Sequence, residues 1–349
     1  MIVFTICSNN YLPMARILGE SIQRVDPRVR FIIGLIDLPD PTVNYDAFAS
    51  FEILPVHQID VPDLEGMAQR YSIVELNTAA KPFYFHYLFQ RHADEKGLKI
   101  CYIDPDIAVY SSLQPVEEAL ESSTVMLTPH ALIPIDLDDK HPGENTFLNF
   151  GIYNLGFCGM RRSKTADEVL KWWSERLINH CRIDVKNGIF VDQLWMNLVP
   201  IFFEDIHISK HPGLNVAYWN FHERRIEKRG EIWYVNERWP LVFFHFSDLS
   251  VDNPDLVTKT PTRITLKERP ESIPLFHEYR TKLIDYEIER FKRIPCAYVE
   301  KRKEWLSRER RAFRRKHPVY FLLATLKRLL STRLRGFLRS RYTLPSSRS

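Results

Sequence analysis

Hydrophobic positions along the chain change period in a regular order. Residues 2–6 form a short apolar run rich in β-formers, and residues 12–25 (LPMARILGESIQRV) place Leu12, Ala15, Ile17, Leu18 and Ile22 on one helical stripe. Residues 29–36 (VRFIIGLI) return to a buried strand, with another at 51–56. This order predicts a β-α-β unit with parallel strands and a right-handed crossover, and hence an α/β fold. Ligands in such sheets bind beyond the strand C-termini, which puts Thr5, Cys7, Asn9, Asn10 and Tyr11 at the binding edge. Ser72 and Glu75 match a capping box, opening a helix to about Arg91 that Lys81-Pro82 should kink.

Residues 98–110 (LKICYIDPDIAVY) run from one apolar strand through Asp104-Pro105-Asp106 into another. Side chains alternate along extended chain, so two Asp separated by one residue project to the same side. Converging carboxylates are costly without positive charge between them, and a hard divalent cation with a phosphate ligand supplies it. A solvated turn has the same composition.

The pattern continues with a strand at 124–128 and a polar loop at 129–146 that holds Asp136, Asp138 and Asp139, a candidate substrate loop or a solvated acidic surface. Residues 150–160 (FGIYNLGFCGM) form a glycine-rich strand in which Asn154 is the polar exception. Thr165 and Glu168 match a second capping box, for a helix running to about His180. Asp192 and Gln193 then start a short apolar helix. Residues 211–225 mix Asn, Tyr, Trp, His and Arg as a sugar-binding segment does. Residues 233–235 and 241–246 (LVFFHF) are expected to pair as a hairpin, with His245 alternating between phenylalanines as either a core histidine or a ligand. From Glu271 the pattern is helical and charged.

Charge is unevenly spread. From Glu300 to Ser349 there are 16 Lys and Arg against 3 Asp and Glu, a local net of +13 that leaves −9 on the rest of the chain. Within that tail, Leu323, Leu326, Leu330, Leu334 and Phe337 share one helical face and Arg328, Arg335 and Arg339 the opposite one. This is the pattern of an interfacial helix on an anionic membrane; a nucleic-acid tail would have no use for the apolar stripe. Five widely spaced cysteines without a C-x-x-C pair read as reduced core residues of a cytoplasmic protein, and neither a signal peptide nor a membrane span is expected. The first glycine is Gly19, so dinucleotide and P-loop motifs after the first strand are excluded.

Five segments taken in order, FTICSNNYLPMA, YIDPDIAVY, YNLGFCGM, VDQLWMN and FFHF, resemble glycosyltransferase family 8 and its bacterial relatives, across most of residues 1–249. The resemblance implies a GT-A fold: a Rossmann-like, mostly parallel mixed sheet flanked by helices. The expected divisions are 1–255 as catalytic domain, 256–300 as a C-terminal helical segment and, from the charge and apolar stripe, 301–349 as the membrane-associating tail. The resemblance also implies that Asp104, Asp106 and His245 ligate Mn²⁺ (or Mg²⁺) bridging the diphosphate of a UDP-sugar. Thr5, Cys7, Asn10 and Tyr11 would hold the nucleotide, Asn154 and Asp192 would contact the donor sugar, and Gln193 would lie beneath its anomeric carbon.

Two departures stand out. Ser8 occupies the place of a base-reading acidic residue, and the lysine that usually follows the metal histidine is missing, so Lys81 is taken as its substitute. The expected activity is retaining transfer of a hexose, galactose or glucose, to a glycan or glycolipid acceptor of the bacterial envelope at the inner face of the plasma membrane. Sugar-phosphate nucleotidyltransferase and a non-catalytic sugar- or membrane-binding protein are the rival readings.

Overall fold

Strand β1 (Ile2–Cys7) is buried along its whole length, as a strand covered on both faces must be. The computed structural model describes residues 1–253, 255–258 and 262–317. The chain divides into two units, Met1–Val299 and Glu300–Ser349. The second is helical through Lys316, and the amphipathic stripe expected over 323–337 lies outside the described residues. No helix among the described residues is long and apolar enough to cross a membrane.

The opening β-α-β prediction holds: α1 (Leu12–Val25) connects β1 to β2 (Arg30–Leu35), and β3 (Glu52–Pro55) follows, all three strands parallel. After α2 (Leu64–Arg70), the Ser72/Glu75 capping box is present. The expected kinked helix is two helices, α3 (Ile73–Ala79) and α4 (Lys81–Arg91), with Pro82 in the first turn of the second, where its missing N–H costs nothing. Strand β4 (Lys99–Ile103) lies parallel to β1 and leads through the Asp pair into β5 (Ile107–Val109). Next come α5 (Gln114–Ser122), β6 (Val125–Pro129), α6 (Glu144–Phe150), β7 (Tyr153–Arg161) and α7 (Lys164–His180). Helix α6 was not expected; its first three residues fall in the polar loop and its last, Phe150, opens the glycine-rich run.

A short ladder, β8 (Ile183–Asp184) with β9 (Ile189–Phe190), precedes α8 (Val199–Phe202) and β10 (Ile206–Ile208). The seven-stranded sheet has the order β10-β6-β7-β4-β1-β2-β3 and is parallel except for β7, which runs against both β4 and β6. This mostly parallel sheet with helices on both faces is the expected α/β architecture. One face of β1 and β4 (Ile2, Phe4, Ile6, Ile100, Tyr102) packs with α4 and α7, and the other (Val3, Cys7, Cys101, Ile103) with α1 and α5. All five cysteines are free and buried.

The expected hairpin is largely replaced by a different pairing. β11 (Ile226–Arg229), β12 (Ile232–Val235) and β13 (Trp239–Pro240) form their own antiparallel sheet, while β14 (Phe243–His245) pairs with β5. Phe244 and Phe246 point into a third core with α9 (Ile273–Asp285), where the Phe246 ring stacks on Tyr279 at 3.8 Å. Side-chain alternation therefore turns His245 the other way, toward the sheet edge.

The helix α7 starts one residue after Ser163, whose hydroxyl accepts from Ala166 N at 3.1 Å, so Thr165 is not the cap that the T-x-x-E pattern predicts. Ser163→Ala should cost about 1 kcal/mol in urea unfolding. Thr165→Ala should change stability by less than about 0.5 kcal/mol. Equal losses would show that the cap is shared.

Candidate metal centre

Four parallel strands, β1, β2, β4 and β6, end at one edge of the sheet, and the reversed β7 begins there. A cavity of about 480 Å³ at this edge is lined by Lys81, Asp104, Asp106, His130, Asn154, Gly156, Asp192, Gln193, Trp219 and His245, among others. Seven of the residues expected from the sequence thus meet in one place. Thr5, Cys7, Asn10 and Tyr11 do not line it. They sit at the end of β1, where Asp37 accepts from Asn9 N at 3.2 Å and Ala297 N at 2.8 Å and so fastens the loop. Tyr11 is the nearest of them to the cavity: partial burial and the carboxylates of Asp106, Asp248 and Asp104 all push its pKa up.

The Asp-Pro-Asp turn is closed by Ile107 N to Asp104 O at 3.1 Å and anchored by Asp104 N to Gly156 O at 2.8 Å. The β5–β14 pairing sets His245 opposite Ile107, so its Nε2 lies 3.1 Å from Asp106 Oδ1 and 3.8 Å from Asp104 Oδ2. One ligand atom from each of the three residues falls within 4.8 Å of the other two. Burial works against charge on His245, but Asp106 and Asp104 outweigh it and hold its pKa above the ordinary value.

The orientation of the ring follows from its neighbours. His130 is a neutral imidazole, since burial drives its pKa down to about 4. Its Nδ1 lies 3.2 Å from the Ile152 carbonyl and must donate to it, which leaves Nε2 to accept from Asn154 Nδ2 at 3.3 Å. Asn154 Oδ1 then accepts from His245 Nδ1 at 3.3 Å. His245 Nε2 is the nitrogen left facing the carboxylates. Two carboxylates and one imidazole, with Tyr102 donating to Asp104, form a donor set that could hold a divalent cation. Gly156 is required here: a Cβ would sit 2.6 Å from His245 Cε1.

At the other side of the cavity Lys81 and Asp192 form a buried ion pair at 2.8 Å. Burial disfavours the charge on Lys81, yet Asp192 and Asp104 outweigh it and raise its pKa; burial raises the Asp192 carboxyl. Lys81 also donates to Leu155 O at 2.8 Å and lies over the Tyr102 ring. Its charge is therefore directed at Asp192. It is the one lysine or arginine among the described residues lining the cavity. The Gln193 amide bridges the start of β7, donating to Phe150 O at 2.9 Å and accepting from Leu155 N at 2.8 Å. The sequence reading passed over His130, although a histidine just after a parallel strand is a positional signal. Trp219, from the expected sugar-binding segment, lines the cavity, and its ring meets both His130 and His245 edge-on.

No family model matches the chain. The uncharacterized protein YfnF of Bacillus subtilis (strain 168) is 24% identical over 245 residues, 70% of this chain and 80% of that protein. YfnD of the same organism is 23% identical over 202 residues, 56% of this chain and 60% of that one. Among solved structures, the galactosyltransferase LgtC in complex with donor and acceptor sugar analogs is similar with a TM-score of 0.46 and 14% identity, over 86% of this chain and all of that one. The glycosyltransferase GlyE of Streptococcus pneumoniae TIGR4 has a TM-score of 0.44 and 13% identity, over 88% of this chain and 63% of its own.

Asn154→Leu removes the acceptor for His245 Nδ1 and should weaken Mn²⁺ binding by roughly 10–100-fold, read from the free-ion signal in electron paramagnetic resonance. Unchanged affinity would show that the strand alone orients the imidazole. The second expectation concerns stability. Between pH 6.5 and about 4 the unfolded chain protonates at His130 while the folded chain does not, so stability falls as pH falls through that window. This residue adds a slope of up to ~1.4 kcal/mol per pH unit, and His130→Gln should lack it in urea titrations across the window.

Proposed function

We propose that the chain is a metal-dependent retaining glycosyltransferase that moves a hexose, galactose or glucose, from a UDP-sugar to a glycan or glycolipid acceptor of the bacterial cell envelope. One observation carries this reading: the Asp104, Asp106 and His245 donor set shares its cavity with a buried carboxyl, Asp192, paired with Lys81 at 2.8 Å. Asp104, Asp106 and His245 would hold Mn²⁺ or Mg²⁺, which when bound supplies charge neutralisation for the departing diphosphate.

The protein's own groups do the rest. Asn154 and His130 fix the imidazole that faces the ligand site. Asp192, with its charge balanced by Lys81, presents a carboxylate to the developing positive charge of the sugar ring. Gln193 holds the turn between α6 and β7 and so sets the floor on which the sugar rests. Tyr11, beyond the triad, is the candidate to stack on the base, with Thr5, Cys7 and Asn10 shaping that end. In this reading residues 1–255 form the catalytic domain, 256–300 a helical segment, and 301–349 bring the enzyme to the anionic inner face of the plasma membrane, where a lipid-linked acceptor is available.

The test is a thermal-shift titration with UDP and Mn²⁺, together and separately, on the wild type and Asp106→Ala. A midpoint that rises by several degrees only with both ligands, and not in the variant, is expected. If the shift persists in Asp106→Ala, the nucleotide binds without the proposed centre and the reading fails.

A further inference from the structure

Beside the reaction cavity runs a second depression of about 360 Å³, lined by Leu132, Ile133, Pro134, Ile135, Phe147 and Leu148, with Ala131 and Glu144 completing it. Phe147 lines both, so the groove adjoins the reaction cavity. The shared wall lies close to the metal ligands: the Phe147 ring stacks on His130 at 5.0 Å, and His130 and His245 each meet Trp219 within 5.4 Å. The cavity wall continues apolar through Val74, Phe150, Ile183 and Phe190.

The loop that builds this groove is tied down by charged side chains. Glu223, ion-paired to the buried Arg224, accepts from the backbone N–H groups of Leu132 and Ile133, each at 2.9 Å. Arg263, itself buried, donates to Pro142 O and the Asp138 carboxylate and reaches Asp136 O and Lys140 O. Glu144, the charged member of the lining, is engaged with Ile135 N at 3.1 Å. Yet Ile133 is 53% exposed and Leu148 is 69% exposed. The polar groups are spent on fixing the backbone, and what is held toward solvent is hydrocarbon. A sugar in this groove would find apolar walls; an alkyl chain would find a surface to cover.

We infer that the groove binds the hydrocarbon portion of an amphiphilic glycosyl acceptor, an acyl or isoprenoid glycolipid whose hydroxyl then enters the neighbouring cavity. The occupant follows from adjacency: an amphiphile lying in the groove with its polar end at Phe147 brings that end to the wall that the groove shares with the reaction cavity. This rests on the glycosyltransferase reading and names the acceptor class for it.

The probes are hexyl and octyl β-D-glucoside, kept as monomers and titrated against the full chain by calorimetry. A photoreactive octyl glucoside is cross-linked in parallel and mapped by mass spectrometry. Each methylene buried strengthens binding about fourfold, so octyl should exceed hexyl by roughly 15-fold. The label should fall within residues 131–152. Ile133→Ser and Leu148→Ser, both at exposed positions that leave folding intact, should abolish the chain-length dependence and the label. Equal affinity for the two glucosides, labelling elsewhere, or binding only to micelles overturns the inference, the last in favour of a membrane-docking surface. A dimer that Leu148→Asp dissociates also overturns it, because a second copy then fills the groove. The UDP and Mn²⁺ thermal shift is measured on the same samples. A shift without alkyl binding sinks this inference alone, whereas alkyl binding without a shift sinks the donor reading and, with it, the groove's role as an acceptor site, leaving only an alkyl-binding groove.

Discussion

The antiparallel pairing of β14 with β5 is the constraint on which the candidate site depends. Three residue pairs, from Phe243 with Val109 to His245 with Ile107, join the strand after the Asp pair to a segment more than a hundred positions later. The ladder is short, but it is clamped from behind: Phe244 and Phe246 enter a core with Phe276 and Tyr279, and Phe243 stacks on Phe157 of the main sheet. Hydrophobic burial on one face of β14 therefore determines where an imidazole stands on the other. Two carboxylates and a histidine, which electrostatics and solvation alone would separate, are held within reach of one ion.

Lys81 and Asp192 solve the opposite problem. Each charge is almost completely buried, and removing either would leave the other uncompensated in the interior. Counting formal charges, Asp104, Asp106 and Asp192 against Lys81 give the cavity −2 with its histidines neutral, the amount that one divalent cation balances. The lysine that the resemblance leaves unfilled after His245 is not simply relocated to position 81, because Lys81 arrives already opposed to Asp192.

Local pattern made much of this legible. The alternation of apolar strand and helical stripe revealed β1, α1, β2 and β3, and the Asp-x-Asp spacing put both carboxylates on one side of an extended segment. Asp192, Gln193 and Asn154 joined the candidate set through the resemblance, and the structure places all three in the same cavity. What stayed hidden depends on partners distant in sequence. The hairpin expected between 233–235 and 241–246 survives only where Leu241 N donates to Trp233 O at 2.8 Å; from Phe243 on the chain pairs with β5, while Phe244 and Phe246 share one core with Trp233 and Val235. The role of His130 rests on Ile152 and Asn154, more than twenty residues away, and no period within its own loop reports it. Thr165 misled for a local reason: its T-x-x-E pattern is real, but Ser163 caps first.

The apolar groove and the polar triad become one design when the competing reaction is considered. A transferase must deliver the sugar to an acceptor hydroxyl in the presence of water, which is smaller, far more abundant and equally able to react. Discrimination cannot come from the chemistry of the attacking oxygen. It must come from holding the correct hydroxyl in place and keeping water out. Phe147, Phe150, Ile183 and Phe190 form a wall whose side chains offer water no hydrogen bonds, in the same cavity as Asp104, Asp106 and His245, the groups that would activate the donor on the proposed function. An acceptor whose hydrocarbon anchor lies in the adjoining groove gains binding energy there and, by seating its head group against this wall, displaces water from the cavity. A purely polar acceptor would lack that anchor and, on the proposed function, would leave the donor exposed to hydrolysis. The composition of the wall thus favours an amphiphile for the same physical reason that the triad favours a cation: each surface is costly until its partner arrives.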